Sequence, residues 1–165
     1  MTEAQGAAEL ILRLYELRRE DELRRARDWF ASQFFPQSAE EVLAAWVGPE
    51  SARYRMVTTY WEMAATLVNH GAIPEDMFHD ANTEHVAIYL KLQPHLARLR
   101  EMANYPSYLR QLERMVSRMP DLDERSAPMR AYLERKRREL RGTQAAAGQP
   151  SAPATAPSAA PGPAE

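Results

Sequence analysis

Apolar residues recur at three- and four-residue spacing along almost the whole chain, and no stretch alternates apolar and polar long enough to compete as a strand. Leu10, Ile11, Leu14 and Leu17 place one apolar face on a helix from about Glu3 to Arg19. Asp21 breaks or caps it, and helix resumes to about Phe34 with Leu23, Ala26, Trp29 and Phe30 inward. After Pro36, Ser38 and Glu41 have the spacing of a capping box, which starts a short helix ending at Gly48. The next helix, Glu50 to His70, carries Ser51, Arg55, Thr58, Glu62, Thr66 and Asn69 within about 80° of one another. Tyr54, Met56, Val57, Tyr60, Trp61, Met63, Ala64, Leu67 and Val68 fill the opposite half, so this helix is expected at the centre of the fold, with Gly71 as its left-handed C-cap.

Beyond Pro74 the pattern predicts a short acidic turn of helix, then a longer helix from about Glu84 to Ala103, capped by Asn82 or Thr83. Pro94 inside it predicts a kink or a break. Pro106 is read as the start of another helix, and the last is expected from about Leu122 to Leu140. The expected fold class is therefore all-α: a single bundle of six to eight helices over residues 3–141, with short loops and neighbours packed mostly antiparallel. Residues 142–165 are rich in Ala and Pro, with no aromatic or branched aliphatic residue, and are expected to be a disordered tail.

Composition narrows the function classes. With no cysteine, disulfide scaffolds, thiolate metal sites and cysteine nucleophiles are excluded. Glu9, Arg13 and Glu16 interrupt the first apolar stretch, so it does not read as a signal peptide, and no window is apolar enough to span a bilayer. A cytoplasmic location is the expectation. The net charge is −2, which disfavours nucleic acid as a partner; the basic stretch Arg130 to Arg141 also contains Glu134 and Glu139 and reads as a solvated helix end. Of the 21 basic residues only Lys91 and Lys136 are lysine, a bias consistent with a GC-rich, bacterial genome. Nucleophile-elbow, Walker, dinucleotide and zincin motifs are absent, so enzymatic activity and a cofactor are not expected.

The four histidines, His70, His79, His85 and His95, fall close together among Glu75, Asp76, Asp80 and Glu84. Asp76 and His79, three apart, have a spacing that can share a metal on one helix, and His85 is the third candidate ligand. On a single helix the six-residue step from His79 to His85 turns about 240°, which separates them unless the chain bends. The bland alternative is a solvated acidic loop. Glu62, the one acid in the heart of the central helix, and His70 are the candidate small-ligand contacts, although Glu62 shares its face with Arg55 and Thr58 and can be hydrated. Tyr60 and Trp61 belong to the apolar arc and read as core rather than as a stacking platform.

The stretch from Arg53 to Asp80, with RRARDWF upstream and the pattern W-E-M-A-A-x-L-V-x-x-G-A-I at its centre, resembles a group of small all-helical bacterial proteins carried as domains of unknown function, over about Arg24 to Pro120. The resemblance implies a helical fold and a bacterial source, and brings no activity, cofactor or site residue.

Two readings of function follow. The first is a non-enzymatic protein-interaction or regulatory module, in which Leu10, Ile11, Leu14, Trp29, Phe30, Phe34 and Phe35 of the N-terminal helices meet a partner or a second copy. The alternative is a small-ligand or metal-binding helical bundle around Glu62, His70, His79 and His85.

Overall fold

The caps and the buried faces of the helices fix the architecture. A computed structural model describes residues 2–147, and the described part is all-helical: α1 (Glu3–Arg19), α2 (Asp21–Ser32), α3 (Ala39–Val47), α4 (Ser51–Asn69), α5 (Glu75–Ala81), α6 (Glu84–Met102), α7 (Arg110–Ser117) and α8 (Leu122–Ala147). These eight helices fall within the expected six to eight. The last helix runs past Leu140 and past the expected domain edge; the remainder of the Ala/Pro-rich tail lies outside the described residues.

α1 opens on a reciprocal cap that the sequence pattern did not flag: Gln5 N–H donates to Thr2 Oγ1 (3.2 Å) and Thr2 N–H to Gln5 Oε1 (2.9 Å). Glu20 separates α1 from α2 by leaving the helical region at ψ 134°, one residue before the expected break. α2 stops at Ser32, short of Phe34, because its last carbonyls turn to a side chain: Lys91 Nζ donates to Phe30 O (2.5 Å) and approaches Ala31 O (3.5 Å). Phe34 and Phe35 then pack into the core, where Phe34 lies 5.0 Å from both Trp29 and Phe30. At Ser38 the expected cap forms, with Glu41 N–H donating to Ser38 Oγ (3.2 Å), but the Glu41 carboxylate reaches back to Gln37 N–H (2.8 Å). Gly48 is required where it stands, since a Cβ there would meet Ala44 O at 2.5 Å.

α4 is central, touching α2, α3, α5 and α7. It buries Tyr54, Val57, Thr58, Tyr60, Trp61, Ala64, Ala65 and Val68. The apolar arc is narrower than expected: Met56 and Met63 are exposed. The polar stripe does not simply face water. Thr58 is buried with its hydroxyl donating to Tyr54 O (3.0 Å), and Glu62 accepts from Gln111 N–H (2.9 Å) and Leu112 N–H (2.8 Å). α4 therefore caps α7, an eight-residue helix that starts later than Pro106 and is preceded by Leu109 in the left-handed region at φ 53°. Gly71 takes the expected left-handed C-cap at φ 78°, with Ala72 N–H donating to Leu67 O (2.9 Å).

α6 passes through Pro94 without a break. Arg137 from α8 donates to Lys91 O (3.0 Å), adjacent in sequence to the Leu90 carbonyl that Pro94 cannot serve. α6 also receives α3 and α7 on its flanks and α8 along its length.

Replacing Glu62 by Ala removes the acceptor for two α7 amides and is expected to lower unfolding stability by about 1–2 kcal/mol, with Glu62→Gln losing less because it keeps one acceptor. Urea denaturation measures both, and an unchanged midpoint for Glu62→Ala would remove this role.

Candidate functional site

The chain does bend between the two histidines. α5 ends at Ala81, Asn82 adopts an extended conformation, and α6 begins at Glu84, so His79 and His85 sit on different helices. Their rings stack at 5.0 Å and 21°, with His79 Nδ1 and His85 Nε2 2.9 Å apart. The helix break expected at Asn82 or Thr83 thus supplies the bend that lets the two rings meet. Phe78 and Trp61 wall the pair, at 5.1 Å and 5.7 Å from the His85 ring.

Burial governs the charge of both rings. Desolvation holds His79 below the ordinary histidine value despite the opposing pull of Glu75. His85 is pushed down to about 3, first by desolvation, then by His79 and Arg18. Both are neutral near pH 7, and one donates to the other. His79 Nε2 lies 3.5 Å from Glu75 Oε1 without hydrogen-bond geometry. His79 Nε2, His85 Nδ1, Trp61 Nε1 and Arg18 Nε are all buried without a hydrogen-bond partner within the protein. The four belong to one neighbourhood, since the Arg18 guanidinium lies 5.6 Å over the Trp61 ring and donates to Asn82 Oδ1 (3.2 Å).

The other sequence candidates do not join them. Asp76 is exposed and accepts from the neighbouring Met77 N–H (2.8 Å); Glu75 takes the place beside His79 instead. His70 is exposed at the C-cap of α4, and Glu62 is engaged with α7. Among the described residues, no group of three or more His, Cys, Asp or Glu side chains is gathered as a metal ion would need.

What the fold does build is a cleft between α6 and α8. It holds two adjoining cavities of about 270 and 260 Å3 that share Glu84, Ala87 and Met129. The first is bordered by His79, Asn82 and Ser126. The second is bordered by Lys91 with Phe30, Ile88, Tyr132 and Leu133. At their junction the Arg27 guanidinium grips Glu84, with Nε to Oε1 at 2.8 Å, which raises the Arg27 pKa. A larger depression of about 850 Å3 beside Gly6 and Gly71 lies away from these buried polar groups.

Lys91 is the residue that sequence reasoning missed. It is 5 % exposed, in contact with the backbone carbonyls that end α2, and its Nζ lies 4.0 Å from the Phe35 ring centre. No carboxylate forms an ion pair with it among the described residues. Burial, and secondarily Arg137, push its pKa down to about 7. The available signal was a lysine within the run YLKL in a chain that otherwise uses arginine almost throughout.

The N-terminal apolar residues are largely absorbed by the fold. Leu14, Trp29, Phe30, Phe34 and Phe35 are core, and Leu10 and Ile11 pack half-buried against it. The exposed apolar residues are others: Leu12, Tyr15 and Leu17 on α1, Met56 and Met63 on α4, and, elsewhere, Val47, Tyr105 and Leu140. Tyr60 and Trp61 are buried, as expected of core. No helix of the described residues is long and apolar enough to cross a membrane.

A family model described as Domain of unknown function (DUF4760) matches residues 4–119. Neither the curated proteins nor the solved structures gave a match to the chain.

Lowered folded-state pKa values have one sign in stability. Between the folded and unfolded values the unfolded chain holds the proton and the native state does not, so unfolding free energy rises with pH. For His85 this window runs from about 3 to 6.5, and for Lys91 from about 7 to 10.5. Urea unfolding across pH 5 to 9 is therefore expected to show stability rising with pH, by at most about 1.4 kcal/mol per unit for each linked proton. In Lys91→Met the upper part of that rise should vanish; a slope above pH 7 that survives the substitution would assign it elsewhere.

Proposed function

The chain belongs to the family Domain of unknown function (DUF4760), and from that premise we propose that it is a small-ligand-binding helical bundle whose site is the cleft between α6 and α8. The observation that carries this reading is the adjoining pair of cavities of about 270 and 260 Å3: the second sets Phe30, Ile88, Tyr132 and Leu133 around Lys91, Asp28 and the Arg27–Glu84 pair, and the first is more polar, with His79, Asn82, Thr83, Arg125 and Ser126 at its border. The second cavity has the make-up of a ligand pocket, apolar walls with a small number of placed polar contacts. The buried His79 Nε2, without a hydrogen-bond partner at the border of the first cavity, adds to it, because such a group is costly to leave unsatisfied.

1-Anilinonaphthalene-8-sulfonate, an apolar anion, is a suitable probe. The protein is expected to bind it saturably with about one site, and Ala87→Trp, which fills the wall shared by both cavities, to weaken that binding at least about ten-fold. Absence of saturable binding, or binding unaffected by Ala87→Trp, would reject the cleft.

The interaction reading retains one observation. Leu17, Met56 and Met63 are exposed around a shallow trough between α1, α2 and α4, bordered by Glu20, and Arg55 shares the exposed face of α4 with Thr59. Neither Glu20 nor Arg55 has an ion-pair partner among the described residues. A second copy related by a two-fold axis would cover the apolar strip and pair these charges across the interface. Light scattering on the full chain is expected to show a concentration-dependent dimer that Met63→Glu dissociates; a monomer at every concentration would sink this second reading.

A further inference from the structure

The cleft contains a nucleophile whose environment indicates the ligand's chemistry. We propose that Lys91 is a reactive amine and that the α6/α8 cleft takes small, ring-sized carbonyl compounds, held as an imine on Lys91 Nζ. This rests on the cleft reading and adds a chemical class to it.

Lys91 borders the cavity of about 260 Å3, between Phe30 and Ile88 on one side and Tyr132 and Leu133 on the other. That volume is just below the usual range of ligand cavities, so the part of a ligand beside Lys91 is about one ring, and a larger molecule extends into the adjoining cavity. Nζ donates to Phe30 O at 2.5 Å and approaches Ala31 O at 3.5 Å, and a protonated imine keeps one N–H for the nearer carbonyl. No carboxylate is paired with the group: Glu84, at the same cavity, is held by Arg27, and Asp28, also at its border, forms no ion pair with Lys91. The Phe35 ring beneath Nζ favours the charged form, and burial opposes it. Burial prevails, with a pKa of about 7, so a substantial neutral fraction exists near neutrality.

The chemistry balances without a further reagent. The Nζ lone pair attacks the carbonyl carbon, the C=O π pair moves to oxygen, and one proton passes from nitrogen to that oxygen, giving a carbinolamine. The nitrogen lone pair then forms the C=N bond as the hydroxyl leaves with a second proton as water. One amine and one carbonyl become one imine and one water, and nothing is oxidised or reduced.

The chain makes the test selective, because it has only one other lysine, Lys136, which is surface-paired with Glu139 at 3.1 Å. The full chain is incubated with benzaldehyde, the imine is trapped with cyanoborohydride, and the adducts are located by peptide mass mapping. The expected result is a single benzyl adduct on Lys91, formed at pH 7 at least about ten-fold faster than on Lys136, with a rate that rises around a midpoint near pH 7. Ala87→Trp should slow the adduct, and Lys136→Arg should leave it unchanged. Labelling of Lys136 or the terminal amine ahead of Lys91, or a Lys91 midpoint near 10, overturns the reactive amine. If the sulfonate probe still binds in an Ala87-dependent way, that failure is of the imine alone; if probe binding is also lost, the cleft falls with it.

Discussion

Glu62 and the α7 amides form the contact on which the arrangement of helices turns. α7 is only eight residues long and follows Leu109, a bulky residue held at positive φ. A helix of that length does not persist by propensity, and the left-handed leucine adds roughly 1–2 kcal/mol of cost. The α4 carboxylate supplies acceptors for two amides that no turn of α7 can satisfy, next to the positive end of its dipole. Around that anchor Asn69 bonds the Gln111 carbonyl (3.0 Å), Tyr108 bonds Tyr54 (2.8 Å) and Arg100 reaches Glu113 (2.9 Å). Leu112, Met115 and Val116 are thereby delivered to the core, and α4 becomes a shared wall between α2 and α7.

The same economy of polar contacts explains the cleft. Two polar groups buried at α6 meet backbone atoms or another uncharged ring: Lys91 meets the carbonyls of α2, and His85 meets His79. In a low-dielectric setting their neutral forms are favoured. The Arg27–Glu84 and Arg100–Glu113 pairs keep their charge, and the bidentate hold of Arg27 on Glu84 offsets much of its desolvation.

The order of helices was readable from spacing and punctuation, and local caps such as Ser38 and Gly71 acted as their chemistry implies. The failures share one cause, namely contacts distant in sequence. Phe34 could not be seen to leave α2, because Lys91 ends that helix from far along the chain. Pro106 looks like a first helical residue, yet α7 begins where Glu62 can reach its amides. The break at Asn82–Thr83 was legible, but the angle between the two helix axes that stacks His79 on His85 was not. Met56 and Met63 show the converse limit, since apolar character in a pattern does not supply a neighbour to cover it. Of the candidate site residues, only the two histidines meet, and Lys91 could have been noticed only as a lysine out of place among apolar neighbours.

α8, like α1, is lightly attached. Among its described residues it buries only Ser126 and Leu133, and much of its hold is by side-chain bonds at its margin: Arg130 to Gln93, Arg137 to the Lys91 carbonyl and Arg141 to Gln37. An element with so little enclosed surface is the first to separate in partial opening, ahead of global unfolding. Since α8 forms one wall of the cleft, each such opening would widen the way to Lys91. Its backbone amides would lose isotopic protection well before those of α4, and the cleft would breathe on a timescale set by this one helix rather than by the whole fold.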